Sequence, residues 1–319
     1  MKALRVVENQ LKLENIAKPL VENETVIRVT KSGICNTDVE IVRGYAGFEG
    51  TIGHEFVGVV ETAADAPELV GKRVVGEINV GCNVCERCAN GDARHCFART
   101  VLGIKSRDGA HAEFLTLPTR NLLEVPDNVS DNQAIFTEPL AAAFGITEQI
   151  EVYDDTRIAV VGDGKLGLLC AMSLALKSAN VALVGKHSDK LILVEQRNIE
   201  GILVQNIAPS LHRTFDVAVE ASGSESGFAT ALELLKPRGK MVLKSTFQGK
   251  TSLEMWRVVV DEITIVGSRC GRFAPALKLL ADGKIEVESL ISDEFSLSKG
   301  VEAMQKATEK GVMKVVLTM

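Results

Sequence analysis

Four thiols, Cys82, Cys85, Cys88 and Cys96, share one loop with the spacing Cys-x2-Cys-x2-Cys-x7-Cys. Thiolates bind zinc, and four of them close a tetrahedral shell with no open position, so the loop reads as a structural zinc site. Four unrelated buried thiols are a poor alternative, because cysteine is scarce elsewhere and this loop is polar. A second set is scattered: Cys35 in GICNTDVE, His54 and Glu55 in IGHEFVG, and Glu138 in FTEPLAAA. Thiolate, imidazole and carboxylate all bind zinc, and three protein ligands with an open fourth position define a catalytic ion that polarises a substrate oxygen. Singly, Cys35 reads as a small buried hydrophobe, His54 as a core histidine and Glu138 as a helix cap. Their order along the chain, together with a cofactor motif, gives the metal reading its weight.

That motif is an apolar strand from Ile158 running into Gly162-Asp-Gly164-Lys165-Leu166-Gly167 and then an apolar helix. In G-x-G-x-x-G the glycines make the tight turn, admit a pyrophosphate and bring helix against strand, while the helix N-terminus offers amide donors. The end of the next strand selects the cofactor, because an acid there binds the ribose 2′-hydroxyl and repels a 2′-phosphate. Gly185 stands at that point, followed by Lys186, His187 and Ser188, residues able to hold a 2′-phosphate. NADP is therefore favoured, with NAD possible.

The elements that must position these residues follow from hydrophobic period and turn residues. Up to about residue 120, β-rich runs at 25–30, 56–62, 73–78 and 112–118 predict a twisted β-barrel with loops, and the first sixteen residues alternate as an edge strand. A helix is predicted over 134–149 after the capping Ser130, and a domain connection lies there. Beyond it, strands at 157–161, 179–184, 202–204, 217–221, 240–243 and 263–267 alternate with helices at 165–177, 189–197 and 227–235. This is an α/β pattern that implies a doubly wound parallel sheet. A tail of helices 274–281 and 298–309, with strands near Leu290 and at 314–317, is expected to rejoin the first lobe.

The chain has 319 residues, long enough for two domains. Its net charge of -6 leaves no basic field for nucleic acid, and an aromatic share of 4% argues against stacking on bases. The start lacks the apolar core of a signal peptide, and the richest apolar stretch, 166–176, is too short to span a bilayer. A cytoplasmic protein with reduced thiols is expected, which again directs the clustered cysteines to metal.

Gly33 to Asp38 (G-x-C-x-T-D), Gly53 to Glu55 (G-H-E), the four-thiol lobe, Glu138 to Leu140 (E-P-L), the dinucleotide loop and the ending from Leu279 follow one another in an order that resembles the zinc-containing medium-chain dehydrogenase/reductase family, across nearly the whole chain. The resemblance implies a GroES-like catalytic domain from residues 1–140 and 269–319, with a Rossmann nucleotide-binding domain, 141–268, inserted. It implies two zinc ions per chain and hydride transfer between a nicotinamide cofactor and a small-molecule alcohol of the secondary, polyol or sugar type. Cys35 and His54 resemble ligands of the catalytic zinc, with Glu55 or Glu138 as the third; where alcohol dehydrogenases use two Cys and one His, Glu138 takes the place of one thiol. Asp38 resembles the carboxylate that orients the ligand histidine, and Thr37 the hydroxyl that passes the substrate proton. The relay histidine of many relatives is Glu40 here, and the loop 43–52, carrying Tyr45 and Phe48, is short. A homodimer or homotetramer is implied, with strand 263–267 pairing with its copy. Two rival readings are a zinc-independent reductase of activated double bonds on the same fold, and a non-catalytic zinc and nucleotide-binding protein.

Overall fold

The C-terminal strand joins a sheet built from the first part of the chain. In the computed structural model, which describes residues 1–20, 22–246 and 255–319, strand Lys314–Thr318 lies antiparallel to the long strand Thr25–Ile34. The remaining strands follow in the order Leu122–Glu124, Arg73–Gly76, Glu55–Thr62, Thr25–Ile34, Lys314–Thr318 and Ile291–Ser296, with Phe114–Leu117 also pairing on Thr25–Ile34. These elements belong to a unit made of Met1–Glu138 and Phe273–Met319; Pro139–Arg272 forms a second.

In the first unit, Leu4, Val6, Ile34, Ile52, Met304, Val315 and Leu317 share one core cluster, so residues from the two termini are buried together. At about 1.5–3 kcal/mol for each large apolar side chain taken out of water, this cluster fixes the C-terminal strand in place. The first sixteen residues differ from the single edge strand read from their alternation. They form a hairpin, Lys2–Val7 on Gln10–Asn15, whose two turn residues, Glu8 and Asn9, sit at φ 52° and 58°, the pair of positive values that a tight two-residue turn needs.

The second unit is a parallel six-stranded sheet in the order Glu200–Leu203, Val181–Gly185, Ile158–Val161, Phe215–Glu220, Leu235–Leu243, Thr264–Gly267. Ile158–Val161 is buried along its whole length, as a central parallel strand covered on both faces must be. The order reverses on either side of it, which is the doubly wound arrangement whose switch point binds ligands. The helix predicted over 134–149 is divided into Asp131–Ala134, Thr137–Phe144 and a 3-10 turn Gly145–Glu148. Pro139 has no N–H to donate and clashes with the carbonyl four residues earlier; the break puts it in the first turn of a new helix, where neither matters. Among the described residues no helix is long and apolar enough to cross a membrane.

Candidate metal centres and dinucleotide loop

The sulfurs of Cys82, Cys85, Cys88 and Cys96 lie within 4.8 Å of one another. With zinc–sulfur bonds of about 2.3 Å, a tetrahedron sets its sulfurs about 3.8 Å apart. The Cys85 sulfur is 3.6 Å from that of Cys88 and 3.7 Å from that of Cys96, so the loop is already folded to the dimensions of such an ion. Hydrogen bonds from the Val84 and Cys85 backbones bring the Cys82 thiol down to about 6, which favours its thiolate, the form that binds a metal. Burial pushes Cys88 up to about 11, so a metal entering here displaces a proton.

Cys35, His54 and Glu55 form the second group, their ligand atoms also within 4.8 Å of one another. Cys35 ends the strand Thr25–Ile34 and begins helix Asn36–Val42, while His54 and Glu55 lead into the neighbouring strand Glu55–Thr62. Asp38, fully buried, ties the two places together. Its carboxylate accepts the Cys35 N–H at 2.8 Å and the Gly53 N–H at 3.1 Å, with His54 Nδ1 3.4 Å and His111 Nε2 3.5 Å away. Burial works against the charge on Asp38, but the facing imidazoles of His54 and His111 hold its carboxyl far below the usual carboxylate range. Burial likewise opposes the charged form of His54, whose pKa is nevertheless raised well above the ordinary value by Asp38 and Cys35.

Glu55 and Lys314 are both 0% exposed and paired through Glu55 Oε2 and Lys314 Nζ. The other oxygen, Oε1, is buried without a hydrogen-bond partner among the described residues. An unpaired buried carboxylate oxygen is costly, and beside a thiol and an imidazole it is the donor a metal ion would use, so the group fits zinc. Glu138 opens helix Thr137–Phe144, half-buried, and is not one of this group. Thr37 is half-buried, its hydroxyl 3.7 Å from the Cys35 sulfur. Glu40 pairs with Arg43 at 2.8 Å. Phe48 packs on the core cluster and Tyr45 is exposed.

In the second unit, Gly162 takes φ 122° and Gly164 precedes helix Lys165–Ala175 with no side chain capping it. A Cβ on Gly167 would lie 1.8 Å from the Gly162 carbonyl oxygen, so helix and strand approach as closely as this loop requires. Leu166 and Lys165 are half-buried at the helix start. Gly185 ends strand Val181–Gly185, and Lys186, His187 and Ser188 are exposed beyond it.

Three participants escape a reading of the sequence: Lys314, His111 and Asp163. Lys314 opens an otherwise apolar strand, a lysine where burial is unexpected, and that is the one signal it offers. His111 Nδ1 lies 2.8 Å from Ser32 Oγ and its ring closes the far side of Asp38; nothing near it in sequence marks it.

The pattern of the alcohol dehydrogenase GroES-like domain matches residues 21–127, and that of the zinc-binding dehydrogenase matches residues 166–282. The chain is 27% identical to the sorbitol dehydrogenase of Halalkalibacterium halodurans, over 93% of this chain and 92% of that protein. In structure it is similar to a short chain alcohol dehydrogenase from Escherichia coli CFT073 complexed with NADH, with a TM-score of 0.92 and 24% identity, covering 100% of this chain and 99% of that one. It is also similar to a zinc-binding dehydrogenase from Sinorhizobium meliloti 1021 bound to NADP, with a TM-score of 0.89 and 25% identity over the same shares. The matched patterns stand in the order in which the ligand motifs and the nucleotide domain follow one another, and the chain belongs to the zinc-containing medium-chain dehydrogenase/reductase family.

Proposed function

We propose that this alcohol-type dehydrogenase interconverts a secondary, polyol or sugar-type alcohol and its carbonyl at Cys35, His54 and Glu55, with one zinc ion held there and a second in the Cys82, Cys85, Cys88 and Cys96 lobe. The observation that carries the reading is the convergence of a thiol, an imidazole and a buried, half-unpaired carboxylate within 4.8 Å. Between the two carboxylates read from the sequence, that convergence favours Glu55 as direct ligand and leaves Glu138 outside the group. When bound, the metal supplies Lewis acidity to a substrate oxygen and the dinucleotide accepts the hydride.

The chain's own residues do the rest. Asp38 fixes the backbone at Cys35 and Gly53 and turns Nδ1 of His54 toward itself, leaving Nε2 as the ligand nitrogen. Lys314 offsets the Glu55 charge within the core. Thr37, half-buried beside Cys35, is placed to pass the substrate proton outward. The dinucleotide is assigned to the loop Gly162, Gly164, Lys165, Leu166 and Gly167, with Gly185, Lys186, His187 and Ser188 beside its adenosine ribose. A cytosolic homo-oligomer is in keeping with seven free thiols and with the exposed edge strand Thr264–Gly267.

The test is a panel of secondary alcohols, polyols and sugars followed by nicotinamide absorbance. Turnover on one of these classes, lost on chelation and restored by zinc, is expected. Unchanged turnover by zinc-free protein overturns the reading.

A further inference from the structure

Read along the chain, Gly185, Lys186, His187 and Ser188 favour NADP, because no acid stands at the strand end. The fold supplies one from elsewhere. Asp163, the residue between the first two glycines of the dinucleotide loop, turns its carboxylate onto that strand end. Its Oδ2 accepts the Lys186 N–H at 2.7 Å, the His187 N–H at 2.8 Å and the His187 Nδ1–H at 2.9 Å.

The glycine at 185 has a steric explanation that the sequence hides. Its φ lies outside the positive region where glycine is demanded, yet a Cβ there would sit 2.6 Å from both Cβ and Oδ2 of Asp163. The space opened by the missing side chain is therefore filled by a carboxylate and is not left for a phosphate. Burial opposes the Asp163 charge, but the His187 and Lys186 hydrogen bonds keep the carboxyl below its ordinary value.

From this arrangement we propose that Asp163 is the specificity-determining residue for the cofactor and that it tilts the enzyme toward NAD over NADP, the reverse of what the strand-end residues suggest alone. The inference rests on the dinucleotide assignment made above. Two donors that a 2′-phosphate would take, the amides of Lys186 and His187, are already engaged, and the phosphate would approach a fixed negative charge. A ribose 2′-hydroxyl meets no such barrier. It is a neutral donor, and a carboxylate with three bonds on Oδ2 keeps acceptor capacity at Oδ1. The charges of the exposed Lys186 and the half-buried Lys190 are balanced by those of Asp189 and Asp163, so the local charge does not restore an anion site.

Calorimetry on the zinc-loaded full chain with NAD and with NADP decides the matter. The wild type is expected to bind NAD at least about tenfold more tightly, and Asp163→Asn to shrink that ratio by about tenfold or more, chiefly by gaining NADP affinity. A merely structural role for Asp163 would instead weaken both nucleotides alike in Asp163→Asn and leave their ratio unchanged. Tighter NADP binding by the wild type, or an unchanged ratio in a folded Asp163→Asn, overturns the proposal while leaving the dinucleotide site intact. Binding of neither nucleotide by the wild type overturns the dinucleotide assignment itself, and the proposal with it.

Discussion

The two metal-fitting groups of the first unit are assembled in opposite ways. The sulfur lobe draws its four donors from residues 82–96, a single turn-rich loop, and its donors are all alike. The mixed group takes Cys35 from a helix start, His54 and Glu55 from the start of a strand, and its counter-charge from Lys314, 259 residues away along the chain. One closes on itself; the other ends in a carboxylate oxygen that is buried without a hydrogen-bond partner among the described residues, and a nearby hydroxyl. A closed shell of like donors holds a loop together, whereas a mixed group embedded in the core can present an ion to substrate.

The contrast is broken most directly by removing one ligand from each group. Cys35→Ala should lower turnover by more than about 10³-fold, about 4 kcal/mol of barrier, with a melting temperature close to wild type. Cys96→Ser should do the reverse, with a lowered melting temperature and turnover retained in the folded fraction, because a closed site contributes folding energy. Equal losses of stability in both variants would erase the distinction. Next in size is Lys314→Met, which strands the Glu55 charge in the core. Denaturant unfolding should show a loss of about 3 to 4 kcal/mol in zinc-free protein, and a smaller one in zinc-loaded protein, where the ion neutralises the same carboxylate.

Asp38→Asn keeps the shape of the carboxylate that joins Cys35 to His54 but removes its charge. A loss of about 10- to 100-fold in zinc affinity of the mixed group is expected, measured by competition with a chelator, while the sulfur lobe keeps its metal. The smallest effect, at a residue of neither group, is at Glu24, which takes two hydrogen bonds from Arg107 at 2.7 and 2.8 Å. Burial would raise its pKa, but Arg107 and Thr116 bring it below the ordinary value of 4.5. A depressed carboxyl stabilises the fold above its unfolded pKa and loses that contribution as pH falls through its folded one. Glu24→Gln should therefore cost about 1 to 2 kcal/mol at pH 7 and almost nothing in strong acid, read from unfolding curves across that range.

What could be read in the sequence follows the same division. The sulfur lobe and the glycine loop each lie within one short segment, so spacing alone carries the geometry. The parallel sheet was legible because short apolar runs such as Ile158–Val161 and Val181–Gly185 alternate with helices. Cys35 and His54 were legible only by their order among other motifs, since each is an unremarkable residue in its own surroundings. Lys314, His111 and Asp163 act through contacts that cross from one element to another. Gly185 shows the limit well: its neighbours in sequence suggest room for a phosphate, while its neighbour in space is a carboxylate from the preceding loop. The helix predicted over 134–149 overran its breaks because the apolar period continues across Ile135 and Phe136, and Pro139 was the signal against it.

The central claim, that Cys35, His54 and Glu55 hold a zinc ion needed for turnover and separate from that of the sulfur lobe, is tested by zinc content and turnover measured together on wild type and Cys35→Ala. The account predicts about two zinc ions per chain falling to about one, with the loss of turnover in the same sample. A Cys35→Ala protein that retains both its zinc and its turnover would contradict it.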